Sequence, residues 1–391
     1  MSYERNGKMV NRNYSVIVVG AGSVGMAAGY YLSKKGVNTL LIDAFDPPHG
    51  KGSHHGETRM IRHATHVSSK GGQHFVPLVQ RAQELWLNLE RELEDTLFIP
   101  TGTLSVGEAD SFYMKKNIEE GSMYSRLEVL NANEINMNWP GFSIPDHFMG
   151  CFEFSSGALL NEKCIYAYRE LRSKNKATLL TNTEVKSIDF FTQGVTVNTK
   201  ENSYHADKVL ICAGAWTGKI LYSLGLPLQP VRKTFAWFET NDLAFQHPQL
   251  PCFHFSFENQ LYYGFPNING SGVKLGRTDS ERNINPDLMR QNFGKYASDE
   301  GDLRKFLDRF LPKASGKFKK GKACLITNTP DKQFIVDQHP EFPHVYFSGG
   351  YSGKGFQISS VLGEILSQLI TEGSTTHDIS AFSLARKAIQ K

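Results

Sequence analysis

The chain has 391 residues, 40% of them apolar, which is enough to bury one large core or two medium ones. Its formal net charge of +4 comes from 43 basic and 39 acidic residues spread along the sequence, so it forms no basic stripe of the kind that nucleic-acid binding requires. The N-terminal residues are polar, and no later stretch is apolar and long enough to span a bilayer. These properties predict a cytoplasmic, two-domain protein whose partner is a small molecule rather than nucleic acid or a membrane. A monomer is the expected oligomeric state.

The chain begins with a predicted strand–helix–strand unit. Ser15–Gly20 is a β-branched run, Met26–Lys35 has helical spacing, and Val37–Ile42 is a second apolar run. The patterns that follow predict a helix at Pro77–Leu93 and a strand pair at Phe98–Gly107. They then predict a second helix at Glu162–Leu171 and three strands, at Thr178–Val185, at Gly194–Asn198 and from Lys208. The last of these strands ends at Gly214 and returns the chain to the first domain.

Between Val231 and Gly276 the sequence changes to short alternating runs rich in aromatic residues. The runs TFAWFE, CFHFSF, LYYGFP and VKLG are separated by Asn and Gly turns, a pattern typical of an antiparallel sheet. The remaining segments predict a helix at Asp302–Leu311, strands at Lys322–Asn328 and Val345–Ser348, and a final helix at Ser359–Thr371.

The order of these elements predicts an α/β fold with two domains. A Rossmann-type cofactor domain is discontinuous and comprises residues 14–85, 150–228 and 320–391. A second, α+β substrate domain is built on the antiparallel sheet and comprises residues 86–149 and 229–319.

A GxGxxG motif stands between the first strand and the first helix. Gly20 permits a tight turn, Gly22 lets the backbone approach a pyrophosphate, and Gly25 lets helix and strand pack closely. Asp43 ends the second strand, where its carboxylate can bind ribose hydroxyls. The motif predicts dinucleotide binding but does not separate FAD from NAD. The long interruption of the domain and its late glycine-rich segment favour FAD, because a buried flavin needs contacts from distant parts of the chain.

Several longer segments are similar to one enzyme family. The runs VVGAGSVGMAAGYYL and LIDAFDPPHGKGSHHGETRMIRHA, and the later segments GKAC, PDKQFIVD and GYSGKGF, resemble the monomeric sarcosine oxidases and the related N-methyl-tryptophan oxidases. The resemblance extends from Ser15 to Arg386. It implies the fold of D-amino-acid-oxidase-like flavoenzymes, with covalently bound FAD. It also implies that an amine or N-substituted amino acid is oxidised by O2 to an imine and hydrogen peroxide.

The resemblance implies a role for three residues near the flavin ring. Cys324, in GKACLIT, matches the cysteine that the family links to the flavin, although an ordinary buried thiol is the alternative interpretation. Arg59 and Arg62 match two arginines over the flavin, one of which binds the substrate carboxylate through its planar guanidinium. They are three positions apart, so they share a face if the segment is helical or tightly turned; two solvated surface arginines are the alternative.

Further matches concern the substrate cavity and the flavin. Lys274, in GVKLG, matches the family's oxygen-activating lysine, and Tyr263 matches an aromatic residue of the cavity; an outward lysine and a core tyrosine are the alternatives. Four residues of the segments SHHGETRMIRHA and GYSGKGF are expected contacts to the cofactor, and so is Val185, which ends the predicted strand Thr178–Val185. The five are Thr58, Val185, Gly353, Gly355 and Phe356.

The match fails at four positions where the family recognises its substrate. A histidine, a tyrosine, a second histidine and a lysine of the family are replaced here by Thr278, Ile326, Lys354 and Gln357. Of the two family residues that bind the substrate carboxylate, only the arginine is present, as Arg62. The other, a lysine, is replaced by Gln357, and Lys354 provides a positive charge three positions earlier. Sarcosine is therefore expected to be a poor substrate. Fructosyl amino acids, cyclic imino acids and polyamine-like compounds are alternatives.

Neither the histidines nor the cysteines predict a metal site. His54, His55, His63 and His66 are close in sequence, but no carboxylate or cysteine has ligand spacing to them. The five cysteines are scattered, which fits neither a disulfide framework nor zinc. Two rivals to the oxidase hypothesis stay open: a flavin dehydrogenase that uses another electron acceptor, and a flavin-binding protein without catalytic activity.

Overall fold

A computed structural model describes residues 13–63, 72–288 and 292–390 of the chain. The helices are α1 (Ser23–Lys34), α2 (Gly72–Leu93), α3 (Phe112–Tyr124), α4 (Ala132–Asn138), α5 (Asn161–Lys174), α6 (Thr217–Ile220), α7 (Ser298–Phe310) and α8 (Ser359–Glu372). The first ten strands are β1 (Asn13–Val19), β2 (Thr39–Ile42), β3 (Thr58–Ile61), β4 (Phe98–Ile99), β5 (Thr103–Glu108), β6 (Leu127–Asn131), β7 (Phe148–Glu153), β8 (Gly157–Leu160), β9 (Thr178–Leu180) and β10 (Val185–Phe190).

The other ten strands lie in the later part of the chain. They are β11 (Val195–Thr199), β12 (Ser203–Ile211), β13 (Gln229–Phe238), β14 (Cys252–Phe257), β15 (Gln260–Phe265), β16 (Val273–Arg277), β17 (Arg282–Asn283), β18 (Phe318–Asn328), β19 (Ile335–Gln338) and β20 (Val345–Gly349). Most predicted elements are present, but α2 begins before Pro77 rather than at it. No helix within the described ranges is both long and apolar enough to cross a membrane.

Two compact units alternate along the sequence. The first unit comprises Met1–His55, Glu162–Pro230 and Ile326–Lys391, and the second comprises Gly56–Asn161 and Val231–Leu325. The division differs from the predicted boundaries because residues 56–85, 150–161 and 320–325, assigned from the sequence to the cofactor domain, belong to the second unit, while residues 229–230 belong to the first. The pairing of β3 with β8 in one small sheet explains the first two differences, and the pairing of β18 with β13 explains the third.

The first unit is built on a sheet of eight strands. Strands β1, β2, β9, β12 and β20 pair in parallel, whereas β10, β11 and β19 are antiparallel additions. The segment β1–α1–β2 forms the predicted Rossmann unit, and α1 packs against α8. The packing of these helices is close: a Cβ atom at Gly363 would lie 2.6 Å from the Cβ of Ala27. The central stretches of these strands, residues 16–19, 40–42, 209–211 and 345–347, are apolar and buried, as expected for parallel strands covered by helices.

The second unit contains a sheet of nine strands and a sheet of three. The large sheet has the order β17-β13-β16-β15-β14-β5-β7-β6, with β18 paired to β13, and the small one has the order β3-β8-β4. One face of the large sheet forms the apolar core of the unit, together with Phe306 and Phe310 of α7. This core face carries Leu104, Ala236, Phe238, Phe253, Phe255 and Leu275.

The opposite face of the large sheet carries polar and aromatic side chains. Successive side chains of a strand alternate between faces, and register partners on neighbouring strands share a face. Lys274 is the register partner of both Trp237 and Phe265, and Tyr263 is the partner of His254. These side chains therefore project from one surface, which we call the functional face. It contains Trp237, His254, Tyr263, Phe265 and Lys274.

Candidate active site

The glycine turn of the first unit has no room for side chains at two of its three glycines. Gly20 has a φ of +91°, and a Cβ atom there would lie 2.5 Å from the carbonyl oxygen of Cys212. A Cβ atom at Gly25 would overlap the carbonyl oxygen of Gly20. At Gly22 the nearest atom to such a Cβ would be Nδ1 of His54, at 3.4 Å. The turn can therefore bring its backbone against a ligand at Gly22 while β1 and α1 pack closely.

The N-terminus of α1 fits a pyrophosphate. Gly22 is the N-cap, so no side chain caps the helix, and the first turn contains no acidic residue. Oδ2 of Asp43 accepts a 2.7 Å hydrogen bond from the backbone N–H of Ala21, and Oδ1 accepts a 2.9 Å bond from that of Phe45. The carboxylate is thus fixed at the end of β2, beside the turn. Free backbone donors and the helix dipole favour an anion here, and the arrangement fits FAD.

The glycine-rich segment after β20 leads into α8 of this unit. Gly353 has a φ of +86°, Phe356 is buried, and α8 begins at Ser359 without a side-chain cap.

Thr217 was not singled out from the sequence. It is fully buried, and its Oγ1 has no hydrogen-bond partner among the described residues. Its side chain lies against Gly349, since a Cβ atom at that glycine would be 3.4 Å from Oγ1 of Thr217.

The other predicted residues of the first unit are less enclosed. Val185 begins β10 and pairs with Thr199, while Lys354 donates from Nζ to the backbone oxygen of Lys332 at 3.2 Å. Gly355 packs on Tyr351, because a Cβ atom there would lie 2.7 Å from the Cβ of that tyrosine. Ile326 and Gln357 are half-buried.

Lys274 is the most enclosed cation of the functional face, with only 1% of its surface exposed. Its Nζ donates hydrogen bonds to the backbone oxygens of Gly56 and Thr58, both at 2.7 Å, and to Oγ1 of Thr58 at 3.2 Å. Three acceptors match the three N–H groups of an ammonium. The rings of Phe265, Phe235 and Trp237 lie 4.7, 4.8 and 5.4 Å from Nζ. The lysine is therefore held in one position as a buried cation.

The segment that accepts these hydrogen bonds has an unusual backbone. Gly56 has a φ of +104°, and a Cβ atom there would lie 2.6 Å from the ring of Phe235. The guanidinium of Arg59 lies 5.4 Å from the same ring, and its Nη1 donates to the backbone oxygen of Thr58 at 2.9 Å. Gly56 therefore lets the segment approach the functional face closely, bringing Arg59 and Lys274 to one aromatic ring.

Substituting Gly56 with alanine is expected to destabilise the second unit. The added methyl group would strain a left-handed backbone and overlap the Phe235 ring, at a combined cost of about 2–4 kcal/mol. Gly270→Ala is the matched control, because Gly270 also has a positive φ of +76° but nothing within 4 Å of its Cβ position. It should cost about 1 kcal/mol. Urea unfolding of both variants measures the difference, and equal losses would show that the ring contact is unimportant.

Arg59 and Arg62 do not lie on a helix, so the helical condition under which they would share a face is not met. Thr58–Ile61 forms β3 and pairs with β8. Arg59 lies within β3, whereas Arg62 directly follows the last residue of that strand. Arg59 contacts Phe235, and Nη1 of Arg62 lies 3.4 Å from Oγ of Ser105. Each arginine serves a different part of the second unit.

Cys324 is a buried free thiol on β18, in the second unit. Burial raises the pKa of this thiol, while the positive charges of Arg59, Lys233 and Lys274 act in the opposite direction. Among the buried thiols, those of Cys212 and Cys252 also have pKa values raised by burial. Lys274 and Arg59 therefore both influence Cys324.

Tyr263 lies on the functional face, one strand away from Lys274. Its ring fills the space above Gly276, where a Cβ atom would overlap it. The residues that are paired in register with Tyr263 across the neighbouring strands were not identified from the sequence. The register runs from Tyr263 to His254, from His254 to Ser105, and from Ser105 to Cys151. The alternation in CFHFSF could have identified His254, since three phenylalanines face the core and the residues between them face the other way.

Three of the four histidines are in the described part of the chain, and they are divided between the two units. His54 and His55 lie in the first unit, His63 lies in the second, and His66 is outside the described residues. Nδ1 of His63 is 3.2 Å from Oγ of Ser155, and its backbone N–H donates to Oε1 of Glu153 at 2.8 Å. In the described part of the chain, no group of three or more histidine, cysteine or acidic side chains could hold a metal ion.

Comparisons with known proteins agree on the family. Residues 15–369 match the DAO family of FAD-dependent oxidoreductases. The chain is 44% identical to monomeric sarcosine oxidase of Bacillus sp. (strain NS-129), over 98% of this chain and 99% of that protein. It is 38% identical to N-methyl-L-tryptophan oxidase of Yersinia pestis (strain Pestoides F), over 96% and 99% of the two chains.

The fold also matches the crystal structure of glycine oxidase from Geobacillus kaustophilus. The TM-score is 0.84 at 19% identity, with 96% of this chain and 99% of the other covered. The predicted α/β fold class, the suspected family and FAD as the cofactor are confirmed. The chain belongs to the DAO family of FAD-dependent oxidoreductases.

Proposed function

We propose that the protein is an oxidase that breaks a C–H bond beside the nitrogen of an N-substituted amino acid or other secondary amine, giving an imine. O2 is the proposed electron acceptor and hydrogen peroxide the second product. The names of the two relatives, which refer to sarcosine and N-methyl-L-tryptophan, support this substrate class. We further propose that the enzyme works as a cytoplasmic monomer.

The observation that carries the proposal is the position of Lys274. A cation with three hydrogen bonds and three aromatic neighbours is costly to bury, so its retention on the functional face favours a role in chemistry. A fixed positive charge stabilises the negative charge that develops on oxygen as it is reduced. Because the charge is already oriented, little reorganisation is needed during the reaction.

FAD, when bound, accepts a hydride equivalent from the carbon beside the nitrogen. Its proposed contacts in the first unit are Gly20, Gly22, Gly25 and Asp43, together with Val185, Gly353, Gly355 and Phe356. In the second unit the proposed contacts are Thr58 and a thioether link to Cys324. Burial raises the pKa of the Cys324 thiol, and the nearby charges of Arg59, Lys233 and Lys274 offset part of that rise, which helps to form the thiolate needed for the link.

The remaining residues orient the substrate. We propose that Arg62 binds a substrate carboxylate, that Arg59 lies near the reacting atoms, and that Tyr263 lines the cavity. The substrate reacts as a neutral amine, so no side chain is required as a base, and the contribution of these residues is orientation and electrostatics. Lys354 is proposed as a second cation for the carboxylate.

The pocket proposal predicts a specific loss of carboxylate recognition. Arg62→Met and Lys354→Met should each raise KM for a carboxylate substrate about ten- to a hundredfold, because a charge-assisted contact contributes roughly 1.5–3 kcal/mol. The matched measurement uses the same amine without its carboxylate, whose KM should change little. Sarcosine should reduce the flavin slowly. Rapid reduction by sarcosine, or indifference of carboxylate substrates to both variants, would contradict this pocket.

A screen of amines for peroxide release tests the reaction class. Substrate oxidation with peroxide indicates the oxidase, and reduction without peroxide indicates a dehydrogenase that uses another acceptor. If no compound reduces the flavin, the alternative of a flavin-binding protein without catalytic activity is favoured instead.

A further inference from the structure

A row of polar side chains crosses the functional face beside Tyr263. Tyr263, His254, Ser105 and Cys151 are successive register partners on β15, β14, β5 and β7. His254, Ser105 and Cys151 are all buried. A buried polar row needs internal hydrogen bonds, because each unpaired group would cost free energy. The arginine at the end of β3 supplies part of that network.

Arg62 is held against this row by two hydroxyl groups. Its Nη1 lies 3.4 Å from Oγ of Ser105, and Arg62 is close enough to the phenol of Tyr113 for both its charge and a side-chain hydrogen bond from it to lower the pKa of that phenol. Burial raises the pKa of Tyr113 to about 12, although the charge of Arg62 acts in the opposite direction. The phenol is therefore neutral at physiological pH and keeps its proton. Since a guanidinium can only donate hydrogen bonds, the Tyr113 oxygen must accept from Arg62.

The proton of Tyr113 then has to point elsewhere. The hydroxyl lies 2.8 Å from Nδ1 of His254 and 3.3 Å from the backbone oxygen of the same residue. The shorter distance favours donation to Nδ1, which requires the tautomer of His254 with its proton on Nε2. In this arrangement, hydrogen bonds run in one direction from Arg62 through Tyr113 to His254.

Helix α3 fixes the position of Tyr113. The side chain of Ser111 caps the helix by accepting from the N–H of Met114, and Nδ2 of the fully buried Asn117 donates to the backbone oxygen of Tyr113 at 2.7 Å. The rings of Tyr113 and His254 are stacked, with centroids 5.8 Å apart. The phenol oxygen is consequently a rigid acceptor rather than a mobile one.

We propose that Tyr113 is a positioning residue for Arg62, and that His254 orients the Tyr113 hydroxyl, so that this pair sets how well the protein selects carboxylate substrates. The inference rests on the proposed role of Arg62 as the carboxylate-binding residue. Without the phenol oxygen, the guanidinium keeps its charge but loses one of the contacts that fix its direction. A bidentate pair with a carboxylate depends on that direction.

The test compares the binding of methoxyacetate with that of its uncharged amide, methoxyacetamide, to the FAD-loaded enzyme by isothermal titration calorimetry. Methoxyacetate has an ether oxygen in place of the amine nitrogen of sarcosine, so binding is measured without turnover. Tyr113→Phe should raise the Kd of methoxyacetate about three- to tenfold, as expected for the loss of one hydrogen bond in a charged network. The Kd of methoxyacetamide should stay within about twofold.

Tyr262→Phe is the matched control. Tyr262 is equally buried, but it neighbours Tyr263 in sequence and faces the core side of the sheet. It should leave both dissociation constants unchanged. His254→Leu should reproduce part of the Tyr113→Phe effect, and His254→Asn should restore binding, because the asparagine side chain can accept a hydrogen bond near the former Nδ1. These two histidine variants also provide the test if Tyr113→Phe does not fold.

The outcomes separate this inference from the proposed function. If Arg62→Met does not weaken the preference for methoxyacetate over the amide, or the wild-type protein has no such preference, the carboxylate role of Arg62 is wrong and the inference fails with it. If Arg62→Met weakens the preference but Tyr113→Phe leaves it intact, only the positioning role is overturned. An equal effect of Tyr113→Phe and Tyr262→Phe would also overturn it.

Discussion

Replacing Lys274 with methionine is expected to slow reoxidation of the reduced enzyme by O2 at least about a hundredfold, while reduction by substrate slows less than about tenfold. The reason is that the buried cation stabilises negative charge on oxygen, which develops only in the oxidative half-reaction. Stopped-flow absorbance of the flavin measures the two half-reactions separately.

Lys322→Met is the matched control for this substitution. Lys322 approaches the same Trp237 ring at 5.9 Å but is partly exposed, so its charge is screened by water. It should change neither half-reaction by more than about twofold. Equal slowing of both half-reactions by Lys274→Met would mean that the lysine only holds the segment of Gly56 and Thr58 in place.

Cys324→Ala is expected to release the FAD from the polypeptide completely on acid precipitation. In the wild-type protein the yellow colour should stay in the pellet, and digestion should locate it on the peptide that contains Cys324. Cys252→Ala is the control, because Cys252 is a buried thiol of the same unit whose pKa burial raises to about 12. In the Cys252→Ala variant the flavin should remain attached to the polypeptide. Wild-type colour that passes wholly into the supernatant would refute the covalent link and leave FAD binding intact.

Local signals in the sequence were sufficient for the cofactor half of the fold. The glycine turn, the helix after it and Asp43 lie within one strand–helix–strand unit, so their spacing fixes their geometry. The aromatic runs from Val231 onward predicted the antiparallel sheet for the same reason, since alternation is a property of each strand. The resemblance to a family added the matches at Lys274 and Cys324, which no local pattern distinguishes from ordinary residues.

The features that could not be predicted depend on contacts between distant segments. Arg59 lies on a strand because β3 pairs with β8, about a hundred residues later, and ETRMIRH has no alternation that indicates this. Ser105 and His254 are neighbours only through the register of β5 with β14. The same long-range pairing assigns residues 56–85 to the second unit, although they follow the Rossmann unit directly in sequence.

The most direct test of the account is an anaerobic screen of N-methyl, cyclic and glycated amino acids for bleaching of the flavin absorbance. We predict that at least one N-substituted amino acid other than sarcosine bleaches the flavin rapidly, and that admitting O2 restores the colour with one hydrogen peroxide per turnover. The absence of bleaching by every such compound, or bleaching that O2 does not reverse, would contradict the assignment of the protein as an amine oxidase.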